Sequence, residues 1–157
     1  MPDPSLVILA SDVRAKTLRI LGDVTELRSR FAPSGLHNTI LWHAGHVLVV
    51  VEHLAVAPAT AQPAVLPPGW FEKFSWNSRP QTIADWPTLA EVKVRLADQS
   101  ERLIRLLQDL TDEQLSAATI DPNLAPTLRG SIIHALHDEA CHQGEIWLLQ
   151  KLQASGC

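Results

Sequence analysis

An all-α fold, a four-helix bundle interrupted by one long connection, is what three features of this sequence predict. Apolar residues recur at three- and four-residue spacing in four separate segments. Prolines and glycines gather between those segments. The longest proline-rich stretch, residues 58–86, also carries most of the aromatic side chains. At 157 residues the chain is read as a single domain, 1–157, large enough to bury a core without disulfide staples.

The first helix is expected from about Ser5 to Phe31, with Val13, Thr17, Ile20, Val24, Leu27 and Phe31 as its seam. Gly22 interrupts the propensity while the phase continues, which predicts a bend there and no break. Pro33-Ser34-Gly35 then turns the chain. The second helix is expected from an N-cap at Asn38 to Ala57, just before Pro58. It is apolar nearly all round, the mark of a helix buried on more than one side. The connector contains Trp70, Phe71, Phe74 and Trp76, then Arg79 and Trp86. Two readings of it stay open: a lid over one end of the bundle, or aromatic capping of the core where the connection crosses it.

The third helix is expected over Pro87 to Asp109, with a seam of Leu89, Val92, Leu96, Leu103, Leu106 and Leu110. Gln99 sits in that seam, where it must find hydrogen-bond partners in the core or near a site. Thr111 to Leu115 has a cap-like start and predicts one extra turn. The last helix is expected from Thr127 to about Gln153, with Ile133, Leu136, Ala140 and Trp147 as an apolar stripe beside a second stripe of His134, Asp138, His142 and Leu149. Gly144 costs that helix roughly 1 kcal/mol of propensity relative to Ala, which close helix approach or room beside His142 would explain.

That second stripe suggests chemistry. Asp138 and His142 are four residues apart, so a carboxylate and an imidazole project from one helical face and can meet one divalent ion. His46, on the apolar second helix, is the third candidate, because an unpartnered imidazole among apolar neighbours is costly. His53, seven residues on, shares a face with His46 and can line the same cavity. His134 shares the ligand stripe but lies about 12 Å from His142 along the axis, so it is assigned to the cavity as well. Glu139 is the rival of Asp138, and Glu145, one turn after His142, can orient a ligand or act as a base. His43 is read as structural, His137 as surface or supporting, His37 as exposed, and Cys141 as a small buried side chain. Cys157 stands too near the chain end to form a disulfide framework with Cys141.

These residues resemble the DinB/YfiT-like family of metal-binding four-helix bundles. The likeness covers nearly the whole chain: Trp42-x-x-Gly45-His46 on the second helix, the aromatic connector, Trp86-Pro87 before the third helix, and His142-x-Gly144-Glu145 on the last. The resemblance implies up-down-down-up topology. Many members carry a histidine where this chain has Asp138, and a branch similar to thiol-dependent maleylpyruvate isomerases places a carboxylate there. The expected site is therefore a His46, Asp138, His142 metal centre, with zinc the default and nickel the second choice. The resemblance implies transfer or isomerisation using a low-molecular-weight thiol, with the connector gating the cavity and Arg79 a candidate for a substrate carboxylate. A metal-dependent hydrolase and a non-enzymatic stress or interaction bundle are the other classes.

Composition narrows the partners. The 13 basic and 17 acidic side chains give a net charge of −4, and no basic run interleaves with aromatics, so nucleic acid is not expected. No signal-like or spanning segment is read at the N-terminus, and a cytoplasmic location without membrane contact is the expectation. A small-molecule substrate is the expected partner, and the seams of helices one and three allow a homodimer.

Overall fold

The computed structural model describes residues 3–119 and 121–155. Among these residues the chain is helical, without strands beyond an isolated bridge between Ala118 and Thr127. The expectation for Cys157 lies outside the described residues.

Helix α1 (Pro4–Leu21) opens with Asp3 as N-cap, its side chain accepting from the Ser5 amide, and Pro4 in the first turn. It ends at Leu21, so the single helix expected to Phe31 is corrected to two pieces. Lys93 reaches across to donate to the Leu21 and Gly22 carbonyls, which terminates α1. Thr25 then caps a separate short helix, α2 (Glu26–Ser29). Leu27 and Phe31, assigned to the seam, are exposed; the buried face of α1 is Leu6, Ala10, Val13, Arg14, Thr17 and Leu21.

Helix α3 (Ile40–Val51) is capped by Thr39, one residue after the expected Asn38, and all of its residues are buried. It continues through a π-helical turn (Glu52–Val56) into α4 (Ala57–Thr60), passing Pro58 where an end was expected. Pro58 has no N–H for the Leu54 carbonyl four residues earlier. The Ser131 hydroxyl donates to that carbonyl instead, at 2.6 Å, so the helix survives its proline. Ala61, in the left-handed region at φ 51°, ends it. The run Ile40–Thr60 is long and apolar enough to cross a membrane, yet 83% of its most apolar window is buried inside the protein.

In the connector, α5 (Trp70–Phe74) lays Trp70 and Phe74 into the core beside α3, which favours the capping reading for these two aromatics. Helix α6 (Leu89–Asp109) starts with a Thr88–Glu91 capping box, leaving Pro87 just outside the helix, and α7 (Asp112–Ser116) is the extra turn expected after Thr111. Helix α8 (Leu128–Ala154) buries Ile132, Leu136, Glu139, Gln143, Ile146 and Leu149. The stripe expected through Ile133, Ala140 and Trp147 faces outward, about one residue off the true core face. Lys151 lies over the exposed Trp147 ring at 4.4 Å.

Helix α1 packs on α6 and α8, and α3 packs on α8, α6 and α5. Gln143 and Gln150 donate to the Val13 and Ile20 carbonyls, so α1 and α8 run in the same sense. His43 meets His142 while Leu54 meets Ser131, so α3 and α8 run in opposite senses. The seams of α1 and α6 are spent inside this core, and the exposed apolar residues of α8 are Ile133, Trp147 and Leu148.

Candidate metal centre

The site forms where the first half of α3 faces the middle of α8. Asp138 and His142 point from α8 toward His46, and each of the three offers a donor atom within 4.8 Å of the other two. Asp138 Oδ2 lies 3.7 Å from His46 Nε2 and 3.5 Å from His142 Nε2. These separations are long for hydrogen bonds. They suit ligands of one ion, since two atoms bonded to a tetrahedral zinc sit about 3.4 Å apart. Asp138 Oδ2 is buried and has no hydrogen-bond partner. A carboxylate oxygen so placed needs a cation or proton to balance its lost hydration.

The sequence around His46 fixes its ring. His46 Nδ1 donates to the Phe74 carbonyl at 2.6 Å, which leaves the Nε2 lone pair aimed at Asp138 and His142. Phe74 can come this close because position 45 is glycine: a Cβ there would lie 2.2 Å from the Phe74 ring. Trp42 stacks on the His46 ring at 4.6 Å and donates from its indole nitrogen to Ser78 of the connector. Burial pushes the His46 pKa down, assisted by neighbouring His142, while the Phe74 hydrogen bond and Asp138 oppose that shift. The net direction favours the neutral ring that a metal requires.

His142 has neighbours on its other edge. Its Nδ1 lies 2.8 Å from His43 Nδ1 and 3.3 Å from the Glu145 carboxylate, and His43 Nδ1 lies 2.9 Å from the same carboxylate. Burial, with His142 and His46 close by, lowers the His43 pKa to about 3. The His43–Glu145 contact therefore joins a neutral ring to a carboxylate and is not an ion pair. His43, read from sequence as structural, belongs to the site. The signal was its position three residues before His46 on a helix otherwise apolar on every side.

A cavity of about 340 Å³ borders the triad, lined by His46, Val50, Leu54, Trp76, His134 and Asp138 among others. His134 lies on this cavity wall, on the same side of α8 as Asp138. A second cavity, of about 400 Å³, reaches His37, His43 and Glu145. Four expectations are corrected. Glu139 faces away from the triad, buried in a two-toothed contact with Arg14 at 2.8 and 3.0 Å. His53 stacks on Phe71 and lines a different cavity, with Pro58 and Leu128. Arg79 is exposed ahead of the 3-10 turn Pro80–Thr82 and lines neither cavity beside the triad. Cys141 is exposed, 3.8 Å from His137 Nε2, because α8 turns that face to solvent. Gly144 has open space where a side chain would be, so nothing in the structure explains its choice.

The sequence model of the DinB superfamily matches residues 10–146, spanning both halves of the site. This chain is a member of the DinB superfamily. No curated protein matches it. Among solved structures, the DinB-superfamily chain is similar to a conserved protein from Enterococcus faecalis, with a TM-score of 0.77 over 97% of each chain at 18% identity. That likeness is one of fold.

Proposed function

We propose that this DinB-superfamily protein is a metal-dependent enzyme whose His46, Asp138 and His142 hold one divalent cation, zinc before nickel, for thiol-dependent transfer or isomerisation of a small molecule. The observation that carries the reading is the buried, unpartnered Asp138 oxygen set between two imidazole nitrogens. Two neutral nitrogens and one carboxylate oxygen fit a catalytic zinc site with three protein ligands and positions left for other molecules. The frame, on our reading, is an up-down-down-up four-helix bundle, supported by the senses of α1, α3 and α8.

A bound metal of this kind supplies a Lewis acid that lowers the pKa of a thiol or water. The protein's own residues do the rest. His46 is held by the Phe74 carbonyl and the Trp42 ring, so its lone pair needs no reorganisation when a ligand arrives. Val50, Leu54 and Trp76 form an apolar wall that keeps water from a substrate lodged against the triad. His134 and Asp121 supply the polar groups of that cavity remote from the ligands. The resemblance to carboxylate-bearing, thiol-dependent members supports the thiol, since a carboxylate occupies position 138 here.

The test combines metal binding with turnover. Metal-free protein should regain a tightly bound zinc or nickel ion, and Asp138→Ala should weaken that binding by more than about 100-fold, beyond the range for loss of a supporting hydrogen bond. Isomerisation or transfer by the reloaded protein, screened with several thiols and electrophiles, should stop on chelation. Turnover that persists without metal overturns the metal role, and hydrolysis without added thiol overturns the thiol role.

A further inference from the structure

We propose a second divalent-cation site at His43 Nδ1, His142 Nδ1 and the Glu145 carboxylate, so that the imidazole of His142 can bridge two ions. The bridge, though not the second site itself, rests on the triad binding a cation. Three donor atoms from two helices converge here: the imidazole nitrogens are 2.8 Å apart, and one carboxylate oxygen lies 2.9 and 3.3 Å from them. Atoms bound to one zinc at about 2.0 to 2.1 Å stand about 2.9 to 3.4 Å apart for angles between 90° and tetrahedral, so small adjustments suffice. One donor from each residue lies within 4.8 Å of the other two, as in the triad.

The chemistry of the donors points the same way. His43 is only 4% exposed, and its Nδ1, which faces His142 Nδ1, offers a lone pair in the tautomer that carries its proton on Nε2. Two facing Nδ1 atoms can share one proton in a hydrogen bond, but two lone pairs directed at each other repel. A cation between them satisfies both nitrogens and the carboxylate together. Filling this site displaces the Nδ1 proton of His142 to solvent, while His43 carries its proton on Nε2. The second cavity provides an approach that avoids the triad, since it reaches His43 and Glu145 but not His46 or Asp138. Glu145 is half exposed, which leaves room for water on the ion. Ions on the two nitrogens of one imidazole ring stand about 6 Å apart, each bonded at about 2.0 Å. They would therefore be electronically linked through the ring of His142.

The experiment is zinc titration of the chelator-treated full chain, followed by elemental analysis, with wild type, His46→Ala, Glu145→Ala and His142→Ala. Circular dichroism confirms that each variant is folded. Wild type should take two equivalents, His46→Ala and Glu145→Ala one each, and His142→Ala none. Copper(II) loaded to two equivalents should give an exchange-coupled spectrum by electron paramagnetic resonance in wild type alone. A single wild-type equivalent that survives in Glu145→Ala overturns the second site and leaves Glu145 as a hydrogen-bond support for His142. An ion lost in Glu145→Ala but kept in His46→Ala upholds the second site even if the triad binds nothing, which separates this inference from the proposed function.

Discussion

His43 and His46 stand among apolar side chains on α3, where a charged imidazole loses hydration that few partners replace. Both therefore prefer the neutral form in the folded protein, with His43 lowered to about 3 from 6.5. The sign follows directly. Between those values the unfolded chain binds a proton that folded His43 refuses, so acid favours unfolding. Stability of the metal-free protein should be full above pH 6.5 and fall as pH drops toward 3, by up to about 1.4 kcal/mol per unit from this group. Urea unfolding at pH 7, 6 and 5 measures the slope before most carboxylates titrate. His43→Asn should flatten it; an unchanged slope would mean that the ring is not held neutral. Bound metal should leave the slope at least as steep, because occupied nitrogens, like a ring held neutral, refuse the proton that the unfolded chain takes up. Selection between neighbours on α8 belongs to the same argument: Asp138 faces His46 while Glu139 turns to Arg14, and helical geometry allows only one of them into the site.

Helix α5 and its seat on α3 show how one missing side chain places another helix. Gly45 leaves room for the Phe74 ring, and the Phe74 carbonyl then fixes His46. Gly45→Ala should push α5 off α3, costing about 1 to 3 kcal/mol as an overpacked core does, and should also weaken zinc binding through the loosened His46 ring. Thermal melting and zinc titration of the variant check the two effects together, and a variant with wild-type melting and affinity would refute the linkage. The helices themselves were legible in sequence because their apolar spacing records which face is buried. Their ends were legible only where local chemistry decides them, as at the Thr127 cap of α8 and the Thr111 start of α7. The end of α1 depends on Lys93 from a distant helix, and the passage through Pro58 depends on Ser131. No local pattern near either position carries that information. The convergence of the candidate triad was legible for a different reason: two of its members share one helix at four-residue spacing, and the third is a polar residue on an apolar helix. His43 shares that second property, but its partner on the far edge of His142 emerges only when α3 and α8 are packed.

A chain of polar groups, buried except at the half-exposed Arg102, joins all the long helices. Arg102 on α6 pairs with Glu52 in the π-helical turn, and Gln99 donates to Glu52 at 2.8 Å while accepting from Arg14 at 3.1 Å. Arg14 of α1 then grips Glu139 of α8, and Thr17 donates to Glu139 at 2.6 Å. Each charge is paired and hydrogen-bonded, as burial demands, and any helix sliding by one turn would leave a charge unpaired. The belt thereby fixes the register in which Asp138, one residue from Glu139, meets His46. Removing the Glu139 carboxylate leaves the Arg14 guanidinium, itself 3% exposed, without its counterion. Glu139→Ala should destabilise the protein by about 3 to 5 kcal/mol, whereas Arg14→Met combined with Glu139→Leu, which buries no charge, should recover most of that loss. Urea unfolding gives the two energies, and zinc titration of the double variant reads the register independently. If the belt sets the helix alignment, the double variant will be stable yet bind zinc less tightly. If packing alone sets it, the affinity will match wild type and the register role of the belt fails.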